Sequence, residues 1–258
     1  MNEPRRVPFV RGFFWITEGF QLVFQSPIGW MKVITLWFGF IVLCSLLMGV
    51  GPILFSLLLP ILFAGLMLGC RTVAAGGSMM SAHLFAGFKN KPSRLITLGG
   101  VNVLGEVILT AILMIWGGQH MLELQALSAN GAGNIEQLQV LVSDMPPMLI
   151  TILIIQTILL MLGWFAPALL IFTDMGTGHA LTLSGKACAI NTLPFIAYSL
   201  GMGALLSLLV FTGFAVPWLG IPLLMTVVPT IIAGVYVSYS DIFSPVMDLD
   251  SSHFTRVD

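Results

Sequence analysis

One acid stands where acids are expensive. In "RLITLGGVNVLGEVILTAILMIW", residues 94–116, Glu106 lies about midway along an otherwise apolar run. If that run is a helix, Asn102 sits one turn earlier on the same face. A charged side chain at the centre of a bilayer costs roughly 2.5 kcal/mol or more, and such residues mark ion paths and proton relays. No Lys or Arg is expected at the same depth, so the carboxyl either keeps its proton or faces water. Gln156, about a third of the way into a later apolar run, is a candidate hydrogen-bond partner. Two chemistries fit the trio of Glu106, Asn102 and Gln156. One is a neutral knot that fixes helix packing; the other is handling of a proton or a substrate.

A second polar set lies at the ends of apolar runs. Arg71, Asp174 and Asp241 close three of them, in "LGCRT", "FTDMG" and "SYSDIFSP". They form a candidate ion-pair network on one side of the membrane. His83, His120, His179 and His253 are scattered, and no His, Asp or Glu cluster has metal-ligand spacing. Cys44, Cys70 and Cys188 show no CxxC pattern and read as small buried apolar side chains. No phosphate-binding Gly loop or nucleophile elbow appears. The expectation is a protein without catalytic residues, metal or cofactor.

The elements that must position these groups are membrane helices. The chain has 258 residues, 57% hydrophobic and 8% charged, with mean hydropathy +1.01 and formal net charge −1. Soluble domains carry about 25% charged residues, and a net charge near zero argues against nucleic acid as a partner. Six apolar stretches reach the roughly 20 residues a spanning helix needs. They lie near 29–49, 52–70, 95–117, 148–172, 194–214 and 219–240. All ten bases fall on one side of that layout: Arg5, Arg6, Arg11, Lys32, Arg71, Lys89, Lys91, Arg94, Lys186 and Arg256. The positive-inside rule then predicts both termini in the cytoplasm. No cleavable signal peptide is visible at the start.

The connections differ in kind. "GVGP" and "FAVPWLGIP" are tight turns. The outer loop at about 118–147 is longer, with helical spacing in "HMLELQAL" and "NIEQLQVLV" around "SANGAG", and Asn134 placed to cap the second piece. It reads as two short helices resting on the membrane, or as a lid for a partner or ligand. On the basic side, "RGFFWITEGFQLVFQSP", "SMMSAHLFAGFKNKP" and "GHALTLSGKACAINTLP" share a layout. Each holds a Gly (Gly19, Gly87, Gly185) and then a Pro (Pro27, Pro92, Pro194) suited to the first turn of the next helix.

This layout makes a repeat. "PILFAG" at 60–65 and "PTIIAG" at 229–234 place the same Pro-x-x-x-Ala-Gly phrase in returning helices, and "FAPALL" at 165–170 is a looser copy. Pro60, Gly65, Pro167, Pro229 and Gly234 are the candidate structural joints. Pro removes a helix hydrogen bond, and Gly lets a neighbour approach closely. The phrase is either a packing joint or a broken helix whose freed carbonyls line a site.

The predicted fold is all-α: six transmembrane helices as three parallel-oriented hairpins, each preceded by a cytoplasmic interfacial amphipathic helix. A single integral membrane domain covers 1–258, with repeat units at about 12–73, 78–174 and 177–241 and a cytoplasmic tail at 242–258. The stretches "GFFWITEGFQLVFQSPIGW", "LLLPILFAGLMLGCR" and "AHLFAGFKNKPSRLITLG" resemble an uncharacterised family of proteobacterial multi-pass inner-membrane proteins. The resemblance is sharpest over 12–100 and implies a six-helix bundle in the inner membrane, with no catalytic residues. The surface helix, Pro and hairpin order is distantly similar to the membrane domain preceding some glycerophosphodiester phosphodiesterases, which implies a lipid-facing accessory role. The expected partners are membrane lipids and another membrane protein or a second copy. The expected function is a scaffold, partner subunit or lipid-organising protein of the envelope, with a small proton-linked transporter or channel as the alternative.

Overall fold

The computed structural model describes residues 3–129 and 146–243, and these are all helix and connection, with no strand among them. Eleven helices follow in order among the described residues: α1 Arg11–Phe24, α2 Pro27–Leu46, α3 Gly51–Ala74, α4 Ser81–Leu84, α5 Ala86–Lys89, α6 Pro92–Ala129, α7 Pro146–Gly163, α8 Ala166–Phe172, α9 Thr177–Ile190, α10 Thr192–Ala215 and α11 Pro217–Phe243. Pro27 and Pro92 open α2 and α6, where a missing N–H goes unneeded. Six stretches are long and apolar enough to cross a membrane: Pro27–Leu46, Gly51–Ala74, Pro92–Gly118, Pro146–Phe172, Thr192–Ala215 and Trp218–Phe243.

Two expectations need correction. "HMLELQAL" is not a separate surface helix, because α6 runs without interruption through Gly117 and Gly118 to Ala129. Leu, Glu, Gln, Ala and Met are all strong helix formers, and they carry the helix on. "NIEQLQVLV" and Asn134 lie outside the described residues. The fourth apolar run, in turn, is two helices rather than one. It breaks at Trp164–Phe165, ahead of Pro167 in the first turn of α8. The Phe165 N–H donates instead to Ser184 Oγ at 2.9 Å, and the Ser184 hydroxyl donates to the Met161 carbonyl at 2.8 Å. One side chain on α9 therefore serves both broken ends.

The core is concentrated toward the end of the bundle that carries the bases. Trp15, Trp30, Val33, Ile34, Leu95, Leu98, Ala187 and Phe165–Leu170 are buried there. At the opposite end Met48, Met114, Ile115, Phe211, Phe214 and Trp218 are exposed. Burial also ranks the helices. The most apolar window is 56% buried in α3 and 39% in α11, against 11% in Pro146–Phe172 and 17% in Pro92–Gly118. So α3 and α11, the helices carrying Pro60 and Pro229, are central, and α6 and α7 present apolar flanks outward.

The shorter helices pack in a cyclic order. Both α4 and α5 lie on α3, and α9 lies on α7 and α8. The N-terminal α1 barely touches its sequence neighbour α2 and packs instead on α10 and α11, at the other end of the chain. The close approaches are made at glycines. A Cβ on Gly87 of α5 would overlap the Ile61 carbonyl oxygen of α3, one residue after Pro60. Correspondingly, a Cβ on Gly19 of α1 would stand 2.9 Å from the Gly234 nitrogen and 3.1 Å from the carbonyl oxygen of Thr230, one residue after Pro229. Aromatic rings fill the centre: Phe165 meets Phe195 at 5.8 Å and Phe243 at 5.3 Å, and Trp15 meets Phe195 at 5.3 Å. Each such pair adds about 1 kcal/mol beyond its burial.

Candidate functional site

The mid-span polar groups converge on α6. Its contacts with α3 run through Gly99, against Leu57, and through Glu106, whose Oε1 accepts the Ser56 hydroxyl at 2.8 Å. Its contacts with α7 run through Gly105, whose Cβ position lies 2.9 Å from Leu159 Cδ1. Asn102, one turn below Glu106, brings its Oδ1 to 4.0 Å from the Cβ position of Gly163, the last residue of α7. Glu106 thus sits between the α3 and α7 contact faces, with Asn102 toward the α7–α8 break. It is exposed, whereas Ser56 is 2% exposed. Although α3 packs on α6 and α8, it makes no extended packing with α7. The carboxyl therefore occupies a notch that α7 leaves open.

Gln156 does not join this set. It is exposed on α7, and its amide makes no bond to Glu106. Ser56 takes the role expected of it. Gly105 abuts Leu159, which puts Gln156 about one turn along α7 from the level of Glu106. A signal for Ser56 existed in "GPILFSLLLP": it is the lone hydroxyl in that run, four residues before Pro60. A helix carbonyl bonds the N–H four residues on, so the carbonyl that Pro60 leaves unpartnered belongs to Ser56.

Arg71, Asp174 and Asp241 are not one network. Each belongs to a different cluster, because partners closer in space outcompete the expected ones. Arg71 lies 4.8 Å from the centre of the Phe172 ring, joining the ends of α3 and α8. Asp174 pairs with Lys91 at 2.9 Å and lies 3.9 Å from Arg94. The bond to Lys91, and then its charge, hold the Asp174 carboxyl below its ordinary range. Asp174 is 91% exposed, so that pair contributes little to stability.

Asp241 is the most heavily bonded acid in the described residues. Its Oδ1 accepts from Arg5 Nη2 at 2.6 Å; its Oδ2 accepts from Arg11 Nε at 2.6 Å and from the buried Trp15 Nε1 at 3.0 Å. The Arg5 Nε also donates to the Asp241 carbonyl. Asn191, 1% exposed at the α9–α10 junction, grips the same segment: its Oδ1 accepts the Val7 N–H at 2.9 Å, and its Nδ2 donates to the Arg5 carbonyl at 3.0 Å. The N-terminal segment is thereby clamped to the start of α10 and the end of α11.

At the joints, α3 runs through Pro60 and α11 through Pro229, while the chain breaks just before Pro167. Gly65 meets the backbone of His83 and Leu84, and Gly234 meets the Tyr198 hydroxyl at 2.8 Å from its Cβ position. Burial lowers the His83 imidazole below its ordinary value and pushes the Cys188 thiol up to about 12. No group of three or more His, Cys, Asp or Glu suited to a metal occurs among the described residues.

Comparison with known proteins gives one informative likeness. The chain is 27% identical over 196 residues to a probable inner membrane protein of Burkholderia thailandensis, covering 73% of this chain and 71% of that protein. No protein-family model matches, and no solved structure matches. These comparisons do not support the more distant likeness to the phosphodiesterase-associated membrane domain, and they place the chain beside a protein described by its membrane location alone.

Proposed function

We propose that this chain is a non-enzymatic, multi-pass protein of the bacterial inner membrane that acts as a scaffold or partner subunit, or organises lipid, in the envelope. The reading rests on the cyclic packing. Each short helix sits on the Pro-bearing helix of the unit before it, and α1 closes the ring on α11. In this reading the units are three hairpins of one orientation, α1 and its counterparts lie at the cytoplasmic interface, and both termini are cytoplasmic. Exposed Phe13, Phe20, Phe24, Phe85 and Phe88 suit the headgroup zone. The strongest charged groups are engaged in internal bonds, which leaves them holding the fold together. The outward apolar flank of α6 and α7 is where a partner helix or lipid would pack. Crosslinking in native membranes tests this reading. A stable partner or self-complex captured through α6–α7 is expected, and monomer alone across growth conditions would overturn it.

A second reading is favoured by a specific observation, the exposed Glu106 bonded to buried Ser56. Here the chain is a small proton-linked transporter or channel. Purified protein in liposomes should then show a pH-dependent flux that Glu106→Gln abolishes while folding is kept. A wild type without flux refutes it.

A further inference from the structure

We propose that Glu106, Asn102 and the carbonyls of Ser56 and Gly163, which Pro60 and Pro167 leave without an N–H donor, form an oxygen-lined site for a monovalent cation, with sodium as its probe. This rests on the second reading above, that the Glu106 cluster handles a small ion.

Pro60 cannot donate to the Ser56 carbonyl, and Pro167 cannot donate to the carbonyl of Gly163, the last residue of α7. Those two residues flank α6 at the level of its polar groups: Ser56 at Glu106, and Gly163 at Asn102. Pro60 inside the continuous α3, and Pro167 just after the α7–α8 break, thus leave one backbone oxygen without a helix partner on each of the two elements that flank Glu106 and Asn102. The C-terminal end of α7 is the kind of helix break that faces coupling ions in membrane proteins, and the Ser56 carbonyl inside α3 offers a like oxygen. The donor set is all oxygen, which suits hard cations and not soft transition metals.

Charge selects a monovalent ion. The site has a single ionisable group. The α7 helix carries none, and those of α3, Cys70 and Arg71, lie at its far end. A carboxylate with one monovalent cation is neutral. With a divalent cation the site would hold an uncompensated charge in hydrocarbon, which is costly. The same neutrality holds when Glu106 keeps its proton. The cation and the proton therefore exchange: the carboxyl O–H bond breaks, the proton leaves to water, and the cation takes its place on the carboxylate. Ser56 is a positioning residue, since its hydroxyl fixes Oε1 and leaves the second oxygen to the ion.

Dicyclohexylcarbodiimide reports on this exchange, because it modifies protonated carboxyls reached from an apolar phase. The 258-residue chain in detergent is treated at mildly acidic pH, with sodium chloride replacing choline chloride at constant ionic strength. Label on the Glu106 peptide is read by mass spectrometry. Label should fall at least tenfold as sodium saturates, and choline should give no protection. Asn102→Ala and Ser56→Ala should each raise the half-protecting sodium concentration about tenfold, as expected for losing one bond to a charged group. Label that responds to pH but not to sodium, lithium or potassium marks a proton site only and overturns the proposal. So does an unlabelled Glu106 in folded wild type at every pH tested. Because the decisive comparison uses the wild type, a variant that misfolds does not blunt it. Flux without sodium protection sinks this site and spares transport; sodium protection without flux does the reverse.

Discussion

Replacing Asp241 by Ala should release the N-terminal segment while the rest of the bundle stays folded. Asp241 is 10% exposed at its side chain and holds three donors. They do not weigh equally. Arg5 is 49% exposed, so its bond is screened and adds close to nothing. Arg11 is 28% exposed and keeps Glu18 at 2.8 Å, so losing Asp241 costs it part of a charge-assisted bond, about 1.5 kcal/mol. Trp15 is fully buried, and its Nε1 loses its only acceptor, which costs about 1.5 kcal/mol more. The total of about 3 kcal/mol corresponds to roughly a hundredfold rise in the population with α1 undocked. Hydrogen exchange with mass spectrometry reads that population over residues 3–24, and trypsin cleavage after Arg5, Arg6 and Arg11 follows it when opening is fast relative to cleavage. Asp241→Asn should show about half the effect in free energy, because an amide oxygen still accepts from Trp15. Protection of residues 3–24 equal to wild type in Asp241→Ala, in a protein whose other helices exchange normally, would refute the idea that this carboxylate is the clamp.

Three further outcomes follow from the packing. Gly87→Leu should destabilise the fold by about 2 kcal/mol or more, since its Cβ has no room beside the Ile61 carbonyl, whereas Gly203→Ala, open on all sides, should unfold thermally like wild type. Ser184→Ala should cost about 2 kcal/mol in the same assay, because it leaves the buried Phe165 N–H without its acceptor and the Met161 carbonyl with only the weak Cys188 thiol at 3.6 Å. Acidification should loosen residues 78–90 through His83, whose Nδ1 accepts the Met80 N–H at 3.0 Å and so needs a neutral ring. The folded imidazole lies below the ordinary value of about 6.5, so the unfolded chain binds the proton first, and stability is full above 6.5 and falls as pH drops through it toward the folded value. Exchange at residues 78–90, corrected for intrinsic rate, should rise on acidification and cease to do so in His83→Ala.

Much of this architecture was legible in the chain because hydrocarbon permits few solutions. Backbone groups in lipid must bond within their own segment, so an apolar run of sufficient length becomes a helix. The predicted spans and the structural ones agree to within a few residues for that reason. The errors fell where local pattern competes with a tertiary partner. Pro167 looked like Pro60, yet one helix breaks and the other continues. The difference lies in Ser184, a side chain on another helix that bonds the ends of the break. Gln156 looked like a partner for Glu106 by depth, but depth does not fix azimuth. Ser56, on a helix that packs against α6, claimed the bond. Arg71, Asp174 and Asp241 shared an expected side of the membrane, and each found a nearer neighbour.

By itself, the sequence determined the number of spans, the segregation of the bases, the repeated Pro and Gly joints and the isolation of one acid in an apolar run. These are properties of segments, and each follows from solvation along a single helix. Tertiary structure decided which helix each joint receives, and it sent α1 across the whole chain to α11. It also put the proline-bearing α3 and the α7–α8 break on either side of Glu106 and Asn102. Those choices depend on close approach between surfaces distant in sequence, where a missing Cβ or a single hydroxyl selects the partner, and no periodicity along the chain encodes that selection.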